Sequence, residues 1–219
     1  LHFDGSNDVV TSGTSLGNFG AGNFTVEARI KATGTTKAVI SKRATCGCAN
    51  FWNLKTDANG KANFEMYADA SCGNGTGITS STAVNNGAWH HVAVTRLGSA
   101  ISLYVDGVLE ATGTSSANIN NAATFQLGDG PCSNDNFNGE MDEVRIWNVA
   151  RTADEVNTFK NASLPGTVSG LVAYYDFNNA SAIAGGNNAG KTTLADRTAN
   201  NNTGTLANFA LNGSTSNWL

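Results

Sequence analysis

The stretch from Phe137 to Phe159, FNGEMDEVRIWNVARTADEVNTF, decides the fold of this chain because its hydrophobic pattern changes in the middle. Its first half is a short apolar run of β-prone residues, which predicts a strand that ends near Trp147. Its second half carries TADE from Thr152 to Glu155, the signature of a helix capping box. The stretch therefore predicts a strand that leads directly into one short helix, over residues 152–161.

The rest of the chain is dominated by apolar residues that alternate with polar ones. In FTVEARIK, from Phe24 to Lys31, every second residue is apolar, which is the pattern of a half-buried strand. The pairs Asn59-Gly60 and Asp106-Gly107 separate such runs and are strong hairpin signals. Strands do not alternate with helices, which argues against a parallel α/β sheet. We therefore predict an all-β fold, an antiparallel β-sandwich with one short helix.

Three motifs together resemble a known family. The chain is similar to laminin-G-like jelly-roll domains in three places: the stretch described above, LHFDGSNDVV from Leu1 to Val10, and WHHVAVTRLGSAISLYVDG from Trp89 to Gly107. These domains belong to the concanavalin A-like lectin and glucanase superfamily. The resemblance implies a jelly roll and a non-catalytic module of a secreted, bacterial-type protein. A lectin-like, carbohydrate-binding module is the function that it favours.

The role of residues 164–219 has two interpretations. In the laminin-G-like family, a segment similar to LVAYYDF, from Leu171 to Phe177, often stands just before a jelly-roll unit. The segment therefore either completes this sandwich or begins a following repeat. Its apolar residues would be costly to leave exposed, and the FDG and DEVRIW motifs occur once. We predict a single domain over residues 1–219, with residues 164–219 as its final strands.

Composition limits the class of partner. The 219 residues carry a net charge of −4 and the pI is near 5.3, which argues against nucleic acid because phosphate binding needs a basic face. No segment approaches the roughly 18 consecutive apolar residues of a membrane-spanning helix, so we expect no membrane insertion. The chain begins at Leu1 within a strand-like pattern and without a signal peptide. We expect it to be part of a larger secreted protein.

The four cysteines, Cys46, Cys48, Cys72 and Cys132, allow three disulfide pairings. A bridge between Cys46 and Cys48 would close a very small, strained ring, so we expect two long-range bridges. The C-G-C spacing fits a zinc site poorly. Because all four lie in loop-like stretches, bridges would join loops from three separate parts of the chain. Disulfides also favour an extracellular or cell-surface location.

Carboxylates near residue 140 raise the question of catalysis. Glucanases of the resembled superfamily place two carboxylates on one strand as E-x-D-x-E or E-x-D-x-x-E, with carboxyl groups about 5 Å apart. Glu140 and Asp142 begin this pattern, but Val144 and Arg145 occupy the place of the second glutamate. Strict alternation places Glu143 on the opposite face. We predict that the chain is not an enzyme; a polysaccharide hydrolase or lyase is the alternative.

The loop from Asp4 to Asp8 is a candidate calcium site. It packs several oxygen-bearing side chains around a glycine turn, and calcium takes six to eight oxygen ligands. The resemblance implies that Asp4 and Asp142 lie close together on a structural calcium, with Asn7 and Asp8 as further candidates. The alternative is an Asx-turn, in which Asp4 accepts a hydrogen bond from its own backbone.

The loops that carry the cysteines are the best candidates for a polysaccharide or glycan site, because sugars are held by aromatic faces and planar polar groups on loops fixed by a scaffold. Phe51 and Trp52 are adjacent on a strand, so one of them points outward, onto a sugar or under a neighbouring loop. Trp89, Trp147 and Trp218 are predicted to be core residues. A protein-adhesion or spacer domain, with both Phe51 and Trp52 buried, is the alternative. The ligand-binding candidates are Lys42, Arg43, Asn50, Phe51, Trp52, Asp69, Asn74, Asn134, Asp135 and Phe137.

Overall fold

The computed structural model describes residues 1–178, 186–212 and 217–218. Within them the chain forms fifteen strands and one α-helix. In chain order these are β1 His2–Asp4, β2 Val9–Ser12, β3 Phe24–Ala32, β4 Ala38–Lys42, β5 Asn50–Thr56, β6 Lys61–Ala68, β7 Thr76–Ala83, β8 Trp89–Leu97, β9 Ala100–Val105, β10 Val108–Thr114, β11 Phe125–Leu127, β12 Asn138–Trp147, α1 Ala153–Phe159, β13 Leu171–Tyr175, β14 Thr193–Leu194 and β15 Gly204–Ala207. No helix in these ranges is long and apolar enough to span a membrane.

The strands pair antiparallel and form two sheets. Sheet A has the order β1-β12-β3-β8-β9-β10, with β13 also paired to β12. Sheet B has the order β14-β15-β2-β11-β4-β5-β6-β7. The alternation in β3 points Phe24, Val26 and Ile30 into a core that both sheets share, and leaves Arg29 on the outer face of sheet A. The predicted all-β sandwich with one short helix is confirmed.

The transition from β12 to α1 follows the sequence signal. The Thr152 hydroxyl accepts a hydrogen bond from the Glu155 amide at 3.2 Å, and the Glu155 carboxylate accepts one from the Thr152 amide at 2.8 Å. The helix lies over the outer face of sheet A, where Val156 packs against Ala93 and Tyr104. The capping box thus fixes the point at which the chain leaves the sheet and turns back across it.

The chain after α1 contributes strands to both sheets. β13 pairs with β12 in sheet A, whereas β14 and β15 extend sheet B beyond β2. Leu206 lies opposite Val10, and both are buried in the shared core. Tyr175 and Leu194 are buried in the same core. Strands on both sides of α1 therefore belong to the same two sheets.

A buried charged network lies between sheet A and α1. Glu27 accepts hydrogen bonds from His91 Nε2 at 3.0 Å and from Trp147 Nε1 at 2.9 Å. Arg145 pairs with Glu27 and also donates to the carbonyl of Phe159, the last residue of the helix, and to that of Ala162 just after it. Buried charges are tolerated where they are paired and hydrogen-bonded in this way. The network gives these residues a structural role and attaches the helix to the sheet.

A β-bulge in β12 brings Glu143 to the same face as this network. Between Asp142 and Arg145, three steps along β12 match two steps along β3. Glu143 adopts a φ of 52°, pairs with Arg145 and accepts a hydrogen bond from the Tyr174 hydroxyl at 2.8 Å. The prediction that Glu143 points to the face opposite Asp142 is wrong, because the bulge inserts one extra residue into the strand.

Candidate functional site

Two disulfides join the loops that the cysteines mark. Cys46 is bonded to Cys132 and Cys48 to Cys72, across sequence separations of 86 and 24 residues. The prediction of two long-range bridges is confirmed. We call residues 43–49, 69–75 and 129–137 the cysteine loops. Because the two bridges leave from neighbouring positions of the first loop, that loop holds the other two at the same end of the molecule.

The outer face of sheet B carries a row of polar side chains beside these loops. The strand registers align this row across five adjacent strands, through Thr11, Gln126, Ser41, Asn53 and Glu65. A groove of about 410 Å³ opens next to it. The residues that line the groove include Arg43, Ala44, Thr124, Gln126, Gly130 and Pro131. Two cysteine loops, the segment before β11 and Gln126 of the row therefore form one concave surface, whereas Ser41 and Asn53 of the row are buried.

Arg43 holds the first cysteine loop onto the sheet. Its guanidinium lies 3.8 Å from the centre of the Phe51 ring, and its Nε donates to the Thr45 carbonyl at 2.8 Å. It also donates to the carbonyls of Cys46 and Gly47. Phe51 points outward but is buried under Arg43, so it offers no face to a sugar. The prediction that Phe51 is a ligand-stacking residue is wrong for this reason.

Three further candidates are buried in the sandwich. Trp52 donates from Nε1 to the Gly17 carbonyl at 2.8 Å. Phe137 packs edge-on against Phe3 with ring centroids 5.7 Å apart. Lys42 points its ammonium between two loops, and burial lowers its pKa to about 8. All three side chains are fully buried, so the prediction that they contact a ligand is wrong.

The remaining candidates lie in or beside the cysteine loops, and most shape the backbone. Asp69 is exposed and accepts hydrogen bonds from the amides of the turn that follows it. Asp135 is buried and accepts from the Cys132 amide at 2.9 Å, and burial raises its pKa. Half-buried Asn50 donates to a neighbouring carbonyl, while Asn74 and Asn134 are exposed. None of these residues lines the groove, and Asn74 lies instead beside Ser115 and Ser116.

The predicted calcium ligands are not gathered at one point. Asp4 lies opposite Asn138 in the β1–β12 pair, and its carboxylate closes an Asx-turn with the Ser6 amide at 2.8 Å. Asp142 lies four residues farther along β12, about 13 Å away at the usual rise of a strand. The expected proximity of Asp4 and Asp142 is therefore wrong. Within the described ranges, no three His, Cys, Asp or Glu side chains are grouped as metal ligands.

Asp8 is the member of the predicted calcium set with free acceptor capacity. Its Oδ2 accepts from the Asp4 amide at 2.9 Å and from Asn217 Nδ2 at 3.0 Å. No donor among the described residues reaches Asp8 Oδ1 or Asn217 Oδ1, although both atoms are buried. Asn7 is exposed next to them. Buried acceptor oxygens without donors suit a cation or a water molecule.

The residues considered for catalysis have structural partners. Glu140 is half-buried and paired with Lys31 at 2.7 Å. His90 contacts Asp106 through Nδ1 at 2.8 Å and Asn86 through Nε2 at 3.1 Å. Glu140 and Asp142 share the outer face of sheet A, as expected, but lie on the sheet opposite the groove. The groove therefore contains neither half of the carboxylate pair.

Trp89 is a residue that sequence reasoning placed wrongly. It is 38% exposed, whereas Trp52, Trp147 and Trp218 are buried. In β8, Val92 and Val94 point into the core, so the odd-numbered residues, including Trp89, face outward. This alternation was visible in the sequence and identifies Trp89 as an outward residue.

Comparison with known proteins matches this architecture. A family profile described as the concanavalin A-like lectin/glucanases superfamily, Laminin_G_3, matches residues 4–157. No curated protein matches the sequence significantly. Solved structures provide the remaining similarities.

Three structures illustrate these similarities. A proposed carbohydrate-binding protein from Bacteroides ovatus has a TM-score of 0.68 at 22% identity, over 94% of this chain and 56% of that one. The CBM40 module of Ruminococcus gnavus IT-sialidase, also solved with α2,3-sialyllactose, has a TM-score of 0.59 at 14% identity, over 74% and 96% of the two chains. Domains LG4-5 of the mouse laminin α1 chain give 0.53 at 16% identity, over 66% and 40%. At these identities the likeness shows the fold, and the chain spans little more than half of the Bacteroides protein.

Proposed function

Because the chain belongs to the concanavalin A-like lectin/glucanases superfamily, we propose that it is a non-catalytic carbohydrate-binding module of a secreted, multidomain protein. The observation that carries the proposal is the concave surface on sheet B, where the Cys46–Cys132 disulfide joins the two loops that line a polar groove. The disulfides suit an oxidising, extracellular compartment. The Bacteroides and Ruminococcus structures, named for carbohydrate binding, support the same class of function.

The groove has the chemistry of a saccharide site. Gln126 and Thr124 present an amide and a hydroxyl at its wall, and such groups can both donate and accept hydrogen bonds. Exposed Asn134 adds an amide on the cysteine loop that contributes Gly130 and Pro131 to the groove. Because the loops are already cross-linked, binding costs little ordering of the chain. Planar amides on a rigid frame suit the vicinal hydroxyls of a sugar.

The carboxylate positions support a non-catalytic role. A retaining glycosidase needs two carboxyl groups about 5 Å apart, one of them free to transfer a proton. Glu140 is engaged with Lys31, and the position of the second glutamate holds Val144 and buried Arg145. Glu143 is committed to Arg145 and Tyr174. These carboxylates are occupied by structural partners.

Protein adhesion is the second candidate function, and a specific observation favours it. The adhesion alternative predicts that Phe51 and Trp52 are buried, and both are. The groove then lacks an aromatic stacking face of the kind that many sugar sites use. A protein partner would contact the rim of the cysteine loops.

A glycan array probed with the purified chain tests the proposal. We expect binding to a defined glycan, and about thirtyfold weaker binding by the double variant Thr124→Ala/Gln126→Ala, since each of the two lost hydrogen bonds is worth about 1 kcal/mol. Thr112→Ala, an exposed threonine on β10 of sheet A, is the matched control and should bind like the wild type. A blank array with a folded chain would overturn the glycan proposal and favour adhesion.

A further inference from the structure

The outer face of sheet A carries a second surface that the groove does not include. Five residues lie together there, on β3, β8 and β12: Arg29, Lys31, Trp89, Glu140 and Asp142. We call them the Trp89 platform. The registers place Trp89 opposite Lys31, Lys31 opposite Glu140, and Arg29 opposite Asp142. Adjacent strands are about 4.8 Å apart, so the platform is about 10 Å wide.

The side chains of the platform are arranged around one aromatic ring. The Arg29 guanidinium lies over the Trp89 ring, 5.2 Å from its centroid. Lys31 Nζ contacts Glu140 Oε1 at 2.7 Å. Asp142 is half-buried, and the charge of Arg29 acts on it. Two cations and two carboxylates therefore lie on the same face as the indole, and one pair of them, Lys31 and Glu140, is in contact.

Trp89 is the one exposed tryptophan among the described residues, since the other three are buried. Like the other exposed large apolar residues, Leu97, Val108, Leu109 and Val149, it lies at or near the end of a strand, as the first residue of β8. Helix α1 covers the neighbouring part of the same face, over Ala93 and Tyr104. Trp89 stays 38% exposed on the part of the sheet beyond the helix.

We propose that the Trp89 platform is a second saccharide-binding site, for a neutral chain of pyranose sugars. An exposed indole offers an apolar surface to the C–H face of a pyranose ring. The flanking guanidinium and carboxylates offer donors and acceptors for adjacent hydroxyls. Because two cations and two carboxylates are present, the platform carries no net charge that would select an anionic ligand. The site rests on the carbohydrate-binding function proposed above, but not on the groove.

Tryptophan fluorescence tests this site selectively. Since the other three tryptophans are buried, acrylamide should quench mainly Trp89 in the free chain. The probes are hexasaccharides of β-1,4-linked glucose, mannose and xylose. We expect at least one of them to cause a saturable emission shift and to protect Trp89 from acrylamide. Trp89→Ala should abolish both effects, and Glu140→Gln should weaken binding several-fold.

The matched control is Leu97→Ala, which removes a residue that is 66% exposed at the other end of β8 and should leave the response unchanged. Thr124→Ala/Gln126→Ala should also keep the Trp89 response. The platform proposal is overturned if no hexasaccharide changes the fluorescence, or if the change persists in Trp89→Ala. If the array is positive and sensitive to the groove variant while Trp89 gives no response, only the platform fails.

Discussion

Lys42 lies beside the candidate site, but its charged side chain stabilises the interior of the protein rather than binding a ligand. Its ammonium donates to the carbonyls of Thr14 at 2.8 Å, Asn121 at 3.3 Å and Ala123 at 2.7 Å. These carbonyls belong to the loops after β2 and before β11. One lysine thus replaces the backbone pairing that two irregular loops lack, and so fixes one wall of the groove.

Replacing Lys42 with methionine should therefore destabilise the fold strongly. The change keeps the length of the side chain but leaves three carbonyls without their donor, and an unsatisfied buried group costs about 1–3 kcal/mol. We expect a loss of about 2–4 kcal/mol in the free energy of unfolding, measured in urea. Lys61→Met, on β6, is the control and should change it by less than about 0.5 kcal/mol. Equal effects of both variants would contradict the role of Lys42.

Glu27 should control part of the acid sensitivity of the fold. Burial opposes its charge, but hydrogen bonds and charges from His91, Arg145 and Trp147 outweigh burial and lower its pKa below the usual 4.5. A lowered pKa contributes stability that is complete above pH 4.5 and is lost as the pH falls through the folded-state pKa. Melting temperatures between pH 7 and pH 3 should fall less steeply for Glu27→Gln, which should also be less stable at pH 7. Parallel curves would contradict this assignment.

Asp8 should be the residue through which calcium, if bound, acts on stability. Two buried oxygens, Asp8 Oδ1 and Asn217 Oδ1, have no hydrogen-bond donor among the described residues. A cation bound to them would connect the β1–β2 turn to the C-terminal segment. We expect millimolar calcium to raise the melting temperature relative to EDTA in the wild type and in Asp4→Asn, but not in Asp8→Asn. An identical melting temperature in calcium and EDTA would exclude a structural calcium.

The limits of sequence reasoning at this scale have a physical cause. Alternation tells which face a side chain takes, but not what lies above that face. One residue of the Phe51-Trp52 pair must point outward, and Phe51 does. The guanidinium of Arg43, which belongs to the loop that follows β4, nevertheless covers its ring. Trp89 was misplaced because its apolar neighbours suggested a core position, although the alternation of Val92 and Val94 places it outward.

At the scale of elements, the capping box is the sequence motif that predicts local structure most directly, because it marks the first turn of α1. Both reciprocal hydrogen bonds of Thr152 and Glu155 are present, because the motif depends only on residues three apart. The bulge at Glu143 was not predictable in the same way. It depends on Arg145 and Tyr174, which draw its carboxylate onto the outer face from different parts of the chain.

Removing the helix cap should have a measurable cost. Thr152→Ala leaves an amide of the first turn without its acceptor, which costs about 1 kcal/mol of unfolding free energy. Thr158→Ala, an exposed position on the same helix, is the matched control and should be neutral or slightly stabilising. Urea denaturation of the two variants measures the difference. A loss in Thr158→Ala equal to that in Thr152→Ala would show that the cap is not responsible.

At the scale of the whole molecule, the disulfides should contribute more to stability than any single hydrogen bond. Loop-closure entropy gives about 3.4 kcal/mol for the 24-residue separation of Cys48–Cys72 and about 4.6 kcal/mol for the 86-residue separation of Cys46–Cys132. We expect Cys46→Ser/Cys132→Ser to lower the melting temperature more than Cys48→Ser/Cys72→Ser. Thermal unfolding followed by circular dichroism measures both, and a reversed order would contradict the entropic account.

The Cys46–Cys132 bond also has a consequence for the durability of the chain. It encloses β5 to β11, which include half of the strands of sheet B and the β8–β9–β10 hairpins of sheet A. Any single protease cut between residues 46 and 132 leaves the two fragments covalently attached. Nicked protein would migrate as intact material on a non-reducing gel and separate only after reduction. In surroundings rich in digestive enzymes, such a chain can be cut in a surface turn and still hold together as one piece.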